Sequence, residues 1–114
     1  MDEDEKREVR RAFGDAVNMS PKALEDWLAT EESREVGWTR DGETEAIGHQ
    51  SGRWIVDIKR KRNDALGEDD YAHMKKVTGY VHRHLAQGGP DDPADRADSR
   101  WRRSLMNWGH DPLK

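Results

Sequence analysis

The chain has 114 residues, no cysteine, 32% hydrophobic and 39% charged residues, and a formal net charge of -4. That length holds one domain around one modest core, and the lack of cysteine excludes disulfides and thiolate metal sites and fits a reducing, cytoplasmic setting. No apolar run reaches the length of a membrane span, and the first residues are acidic where a secretory signal would be basic and then apolar, so a soluble intracellular protein with no membrane partner is expected.

The pattern is helical along almost the whole chain, which predicts an all-α fold: a small single-domain bundle of about five helices over residues 1–114. Residues 1–6 are expected to be mobile. Val9, Phe13, Ala16 and Val17 recur at steps of three and four and give a first helix with one apolar stripe. Ser20 reads as an N-cap, with Pro21 at the first helical position and Met19 and Leu24 placed as a hydrophobic staple. The second helix turns Leu24, Trp27 and Leu28 inward, and Thr30 can cap a further short turn that stops at Gly37.

Residues 37–44 have turn composition and read as a long surface loop, with Trp38 folding back onto the core. A helical pattern resumes at Thr44 with Ile47, Trp54, Ile55 and Ile58 on one side. Gly48 and Gly52 interrupt it; either they admit another helix at close range or the helix starts only at Ser51. Residues 63–67 break the pattern. Glu68, Asp69 and Asp70 then lead into the longest helix, over 71–87, which 88–90 ends. Residues 88–98 are expected to be a flexible acidic connector to a short C-terminal helix over 99–108, carrying Trp101, Leu105 and Trp108 and terminated by Gly109.

Charge is distributed unevenly. Arg53-Trp54-Ile55-Val56-Asp57-Ile58-Lys59-Arg60-Lys61-Arg62 sets five cations against one acid on an acidic chain. Such a strip marks either a polyanion-binding surface or the solvated C-terminal end of a helix, where cations suit the dipole. A wheel of 71–87 puts Tyr71, Met74, Val77, Thr78, Val81 and Leu85 on a core face and leaves Lys75, Lys76, His82 and Arg83 around Gly79 on the other. Gly79 admits two readings: close backbone approach to a phosphate or partner, or helix packing.

His49, His73, His82, His84 and His110 lack the i, i+4 spacing of a helical two-histidine metal site, so no metal or cofactor is expected. His73, Tyr80 and His84 line the border of the core face, where histidines bond to backbone or acid. No nucleophile or phosphate-loop motif is present. Gly48-His49-Gln50-Ser51-Gly52 is too short and too helical to form a nucleophile turn, and no catalytic residue is assigned.

Four segments carry a resemblance: Asn18-Met19-Ser20-Pro21-Lys22-Ala23-Leu24-Glu25; Gly48-His49-Gln50-Ser51-Gly52-Arg53; Tyr71-Ala72-His73-Met74 through Gly79-Tyr80-Val81-His82-Arg83-His84-Leu85; and Trp101-Arg102-Arg103-Ser104-Leu105-Met106-Asn107-Trp108-Gly109-His110-Asp111-Pro112. Over most of residues 8–114 the chain resembles a family of small uncharacterised proteins, domain of unknown function 3140. The resemblance implies no activity, cofactor or residue set; some relatives carry the label DNA-binding.

Two functional readings follow. In the first, DNA or another polyanion is held through its phosphates by Arg53, Lys59, Arg60, Lys61, Arg62, Lys75, Lys76, Arg83, Arg102 and Arg103. The two helices around 63–67 resemble a helix-turn-helix in outline, but the turn is too long and acidic to predict base reading. In the second, the chain is a non-enzymatic protein-interaction or homo-oligomerisation module, joined through its glycine-containing helix faces or through Trp101 and Trp108.

Overall fold

The structure is a computed structural model in which residues 1–36 and 46–114 are described. The loop expected over 37–44, with Trp38, lies outside the described residues. Six α-helices form among the described residues: α1 (Glu3–Ala16), α2 (Pro21–Leu28), α3 (Glu31–Glu35), α4 (Ile47–Arg60), α5 (Glu68–Gln87) and α6 (Arg100–Asn107). Short 3-10 turns occupy Asn63–Ala65 and Pro93–Asp95, and no strand occurs among the described residues. The fold is therefore all-α, with the short turn after Thr30 forming a helix of its own. No described helix is long and apolar enough to cross a membrane.

Local chemistry sets most helix ends. Asp2 caps α1 by accepting from the Glu5 N–H, so helix begins within the segment expected to be mobile. Ser20 Oγ accepts from the Ala23 N–H at 3.1 Å while Met19 and Leu24 are both buried, which completes the staple. Thr30 caps α3 through the Ser33 N–H. α4 starts at Ile47, between the two starts the sequence allows, with no side-chain cap on it. The acids before Tyr71 lie inside the first turn of α5, and Asp70 reaches back to the Gly67 N–H at 3.0 Å.

At the other end of the chain, α6 closes in a Schellman turn. The Gly109 N–H donates to Met106 O at 2.9 Å and the His110 N–H to Leu105 O at 3.0 Å. Gly109 holds φ at +82°, and a β-carbon there would stand 2.7 Å from Val17 Cγ1, so glycine is required twice over.

α1 packs along α5 and α2 along α4, while α6 touches α2, α3, α4 and α5. The core runs from Phe13, Ala16 and Val17 through Leu24, Leu28, Ile55 and Ile58 to Met74, Val77, Val81, Leu105 and Trp108. Gly48 and Gly52 serve the α4–α6 contact. A β-carbon on Gly48 would meet Trp108 Nε1 at 2.9 Å, and one on Gly52 would meet the Asn107 carbonyl at 2.6 Å. Of the two readings of these glycines, close approach of another helix is the one realised. The 88–98 connector is tied to itself: Asp92 Oδ1 accepts from the Ala94 N–H, and Arg96 Nε donates to Pro90 O at 2.9 Å.

Trp54 departs from its expected place on the inner face. At 38% exposed it sits on the rim, its indole stacked on His73 with ring centres 4.2 Å apart and its N–H donated to Asp70 at 2.9 Å. An indole needs a partner for that N–H, and Asp70 lies at the edge of α5 rather than in the core.

Candidate polyanion-binding face

The cationic end of α4 is largely engaged within the fold. Lys59 turns inward, and its Nζ donates to Val17 O at 3.1 Å and Met19 O at 3.2 Å, covering carbonyls just past the C-terminus of α1. Burial first, and the Lys114 charge second, hold this ammonium below its usual range. Arg60 pairs with Glu25 of α2 at 2.8 Å, with both side chains about half exposed. Lys61 pairs with the buried Asp70 at 2.9 Å, and Arg62 stands 3.6 Å from Asp64 in open solvent. The exposed pairs, Arg60 with Glu25 and Arg62 with Asp64, contribute ~1 kcal/mol at most and leave their cations within reach of a competing anion. Arg53 is exposed on the outer side of α4 and is engaged with another residue.

The α6 cluster is divided. Arg102 forms a two-pronged pair with Asp111, with Nε–Oδ1 and Nη2–Oδ2 both at 3.1 Å, and its Nη1 donates to Ala97 O. That arginine ties the C-terminal segment to α6. Arg103 is partly buried and makes no ion pair among the described residues. The clusters thus answer to four different acids, Glu25, Asp64, Asp70 and Asp111, on separate parts of the fold.

α5 differs. Lys75, Lys76 and Arg83 are exposed and take part in no ion pair among the described residues. Gly79 lies among them, and a β-carbon there would meet only Arg83 Nη1, at 3.4 Å. Among the described residues no other helix packs on this glycine, which goes against the helix-packing reading of Gly79 and leaves its backbone between cations. At 100° per residue, Lys76 and Arg83 share one stripe, seven residues apart, with Lys75 and His82 on the far side of Gly79. In the first turn, Glu68 and Asp69 are exposed as well, which confines the positive surface to the middle and C-terminal half of the helix.

Along the edge of that stripe runs an aromatic stack that the sequence did not disclose. His73 stacks on Trp54, and Tyr80 stacks on Trp108 at 4.1 Å and on His84 at 5.3 Å. Trp101 Nε1 donates to His84 O, and Trp101 packs on Gly89. The two C-terminal tryptophans expected to anchor a partner therefore make contacts inside the chain, Trp108 as part of the core. The histidines also serve the fold: a His49 ring nitrogen bonds Leu28 O and one of His110 bonds Ala16 O, each at 2.7 Å. Among the described residues no group of three metal-binding side chains converges.

Ser51 Oγ lies 2.8 Å from His73 Nε2, the spacing of a nucleophile and its base. Exposures of 3% and 8% give neither atom access to a substrate, and Trp54 covers one face of the imidazole. The pair joins α4 to α5. Only the positions of Ser51 and His73 on the inner edges of their helices signalled it in the sequence.

This interior gives the fold a definite pH response. Burial first, and the Lys76 charge second, hold His73 down at about 4, against 6.5 for a free imidazole. Its folded value is depressed, so its contribution to stability is complete above pH 6.5 and is lost as pH falls from 6.5 towards 4. His84, lowered by burial, acts in the same direction. Asp70, held at about 2 by the Gly67 N–H and then Lys61, loses its contribution only between 3.8 and 2. Urea unfolding is therefore expected to show a fall of ~1–2 kcal/mol between about pH 7.5 and 4.5, much of it absent in His73→Gln. A flat profile over that interval would contradict a neutral, buried His73.

A family model described as Protein of unknown function (DUF3140) matches residues 12–106. No curated protein and no solved structure matches the chain.

Proposed function

The chain belongs to the Protein of unknown function (DUF3140) family, and because that membership brings no activity with it, we propose a function from the surface itself: non-catalytic binding of nucleic acid through its phosphates, on the outward face of α5. The observation that carries the proposal is the group Lys75, Lys76 and Arg83, exposed and without ion pairs among the described residues, around the bare backbone of Gly79. Many other surface cations are paired with acids. On α1, for example, Lys6, Arg7 and Arg11 each pair with an acid three or four residues away. Cations with no competing carboxylate can displace the counterions of a phosphate backbone at the lowest electrostatic cost.

The same geometry favours binding without base reading. Base reading needs a side-chain array set into a groove, whereas three flexible cations on one convex helix face serve as phosphate contacts. The test is fluorescence anisotropy with labelled duplex and single-stranded DNA at low salt. Lys75→Gln, Lys76→Gln and Arg83→Gln combined should weaken binding at least ~10-fold, because each substitution removes one cation that releases a counterion on meeting a phosphate. Lys6→Gln, Arg7→Gln and Arg11→Gln combined, which remove the same number of positive charges from α1, should change it little. Equal weakening in both variants would point to net charge alone and reject the α5 face.

A further inference from the structure

A second cationic feature lies where α1, the end of α4 and α5 meet, on the inner side of α5 and away from Gly79. It is a small open cavity of about 160 Å³. Arg10, Lys59, Lys61 and Asn63 line it over an apolar floor that includes Phe13 and Met74, and no carboxylate lines it among the described residues. Arg10, Lys59 and Lys61 come from separate parts of the chain, and only Lys61 has a carboxylate partner among the described residues, Asp70, so the cavity keeps a net positive charge that suits an anion.

Each cation is also held in place. Arg10 Nη1 donates to Tyr71 Oη at 2.6 Å, Lys59 is anchored by the carbonyls of Val17 and Met19, and Lys61 by Asp70. These bonds occupy only part of the donor capacity of one guanidinium and two ammonium groups. The site is organised before any ligand arrives, which lowers the entropic cost of binding. At about 160 Å³ it has room for one tetrahedral oxyanion.

We propose that this junction binds a single phosphate group, free or as a monoester, through Arg10, Lys59 and Lys61 with Asn63 as a neutral donor. The site is separate from the α5 face and does not depend on the function proposed for it.

The test is an amide NMR titration of the full chain at constant ionic strength, with inorganic phosphate in one arm and methyl phosphate in the other. Saturable shifts at Arg10, Lys59, Lys61 and Asn63 are expected, with affinity lowered about 10-fold in Lys61→Gln and in Arg10→Gln and unchanged in the combined Lys75, Lys76 and Arg83 variant. Tighter binding of methyl phosphate would identify an esterified ligand, and equal or weaker binding the free ion. If one variant unfolds, the other still reads the site. Shifts that grow linearly without saturating, or that centre on α5 residues 75–83, would overturn the proposal. Because nucleic-acid binding is read on the α5 variant and phosphate binding on Arg10 and Lys61, failure of one leaves the other standing.

Discussion

Asn107→Ala is expected to lower the unfolding free energy by about 3–5 kcal/mol, a large part of the ~5–15 kcal/mol of a domain this size. Asn107 is 1% exposed, and its amide ties α6 to α2 and α3. Oδ1 accepts from Trp27 Nε1 at 2.7 Å and from Ser33 Oγ, while Nδ2 donates to Ser33 O at 3.0 Å. Alanine would take from the hydroxyl and carbonyl of Ser33 the partner that Asn107 gives them, where Ser33 is wholly buried, and would open a void the size of the missing amide. Trp27 is only partly buried and can recover a water for its N–H, so the cost concentrates on Ser33. Urea denaturation measures it; a drop below ~1 kcal/mol would mean that these bonds contribute nothing net.

Gly52→Ala should cost ~1–3 kcal/mol even though alanine is the better helix former by ~1 kcal/mol. The new methyl would stand 2.6 Å from the Asn107 carbonyl and 2.7 Å from Leu28 Cδ2. Leu28 can shift its side chain, but the carbonyl can yield only if α6 moves off α4. Gly14→Ala makes the same chemical change inside α1, where nothing lies within 4 Å of the new methyl, and should stabilise by up to ~1 kcal/mol. Opposite signs for the two variants, read from thermal melts, would place the cost in the α4–α6 contact; two stabilising changes would show that the helices are not that close.

Features written within a few residues were legible in the sequence. The Met19-Ser20-Pro21 start of α2 and the glycine stop of α6 depend on local chemistry, and the fold has both. The pair Gly48 and Gly52 marked a close helix contact without naming the partner, because α6 arrives from more than fifty residues away. Lys59 was the hardest to place. A lysine in the last turn of a helix has the pattern of a solvated cation, and only the tertiary arrival of Val17 and Met19 draws its ammonium inward. Lys61 and Asp70 likewise pair across a turn, nine residues apart, outside any helical spacing rule. Three-dimensional contacts thus absorb much of the basic strip into the fold and move the candidate site to α5, where the wheel had already grouped Lys75, Lys76 and Arg83.

The most direct measurement of that site is the salt dependence of DNA binding. Three phosphate contacts at a slope of about -0.9 each predict that log affinity falls against log salt with a slope near -2.7, about a 40-fold weakening from 50 to 200 mM salt. In the combined Lys75, Lys76 and Arg83 to Gln variant the slope should fall close to zero. A wild-type slope near zero, or a variant that keeps both the slope and the affinity of the wild type, would contradict binding through α5.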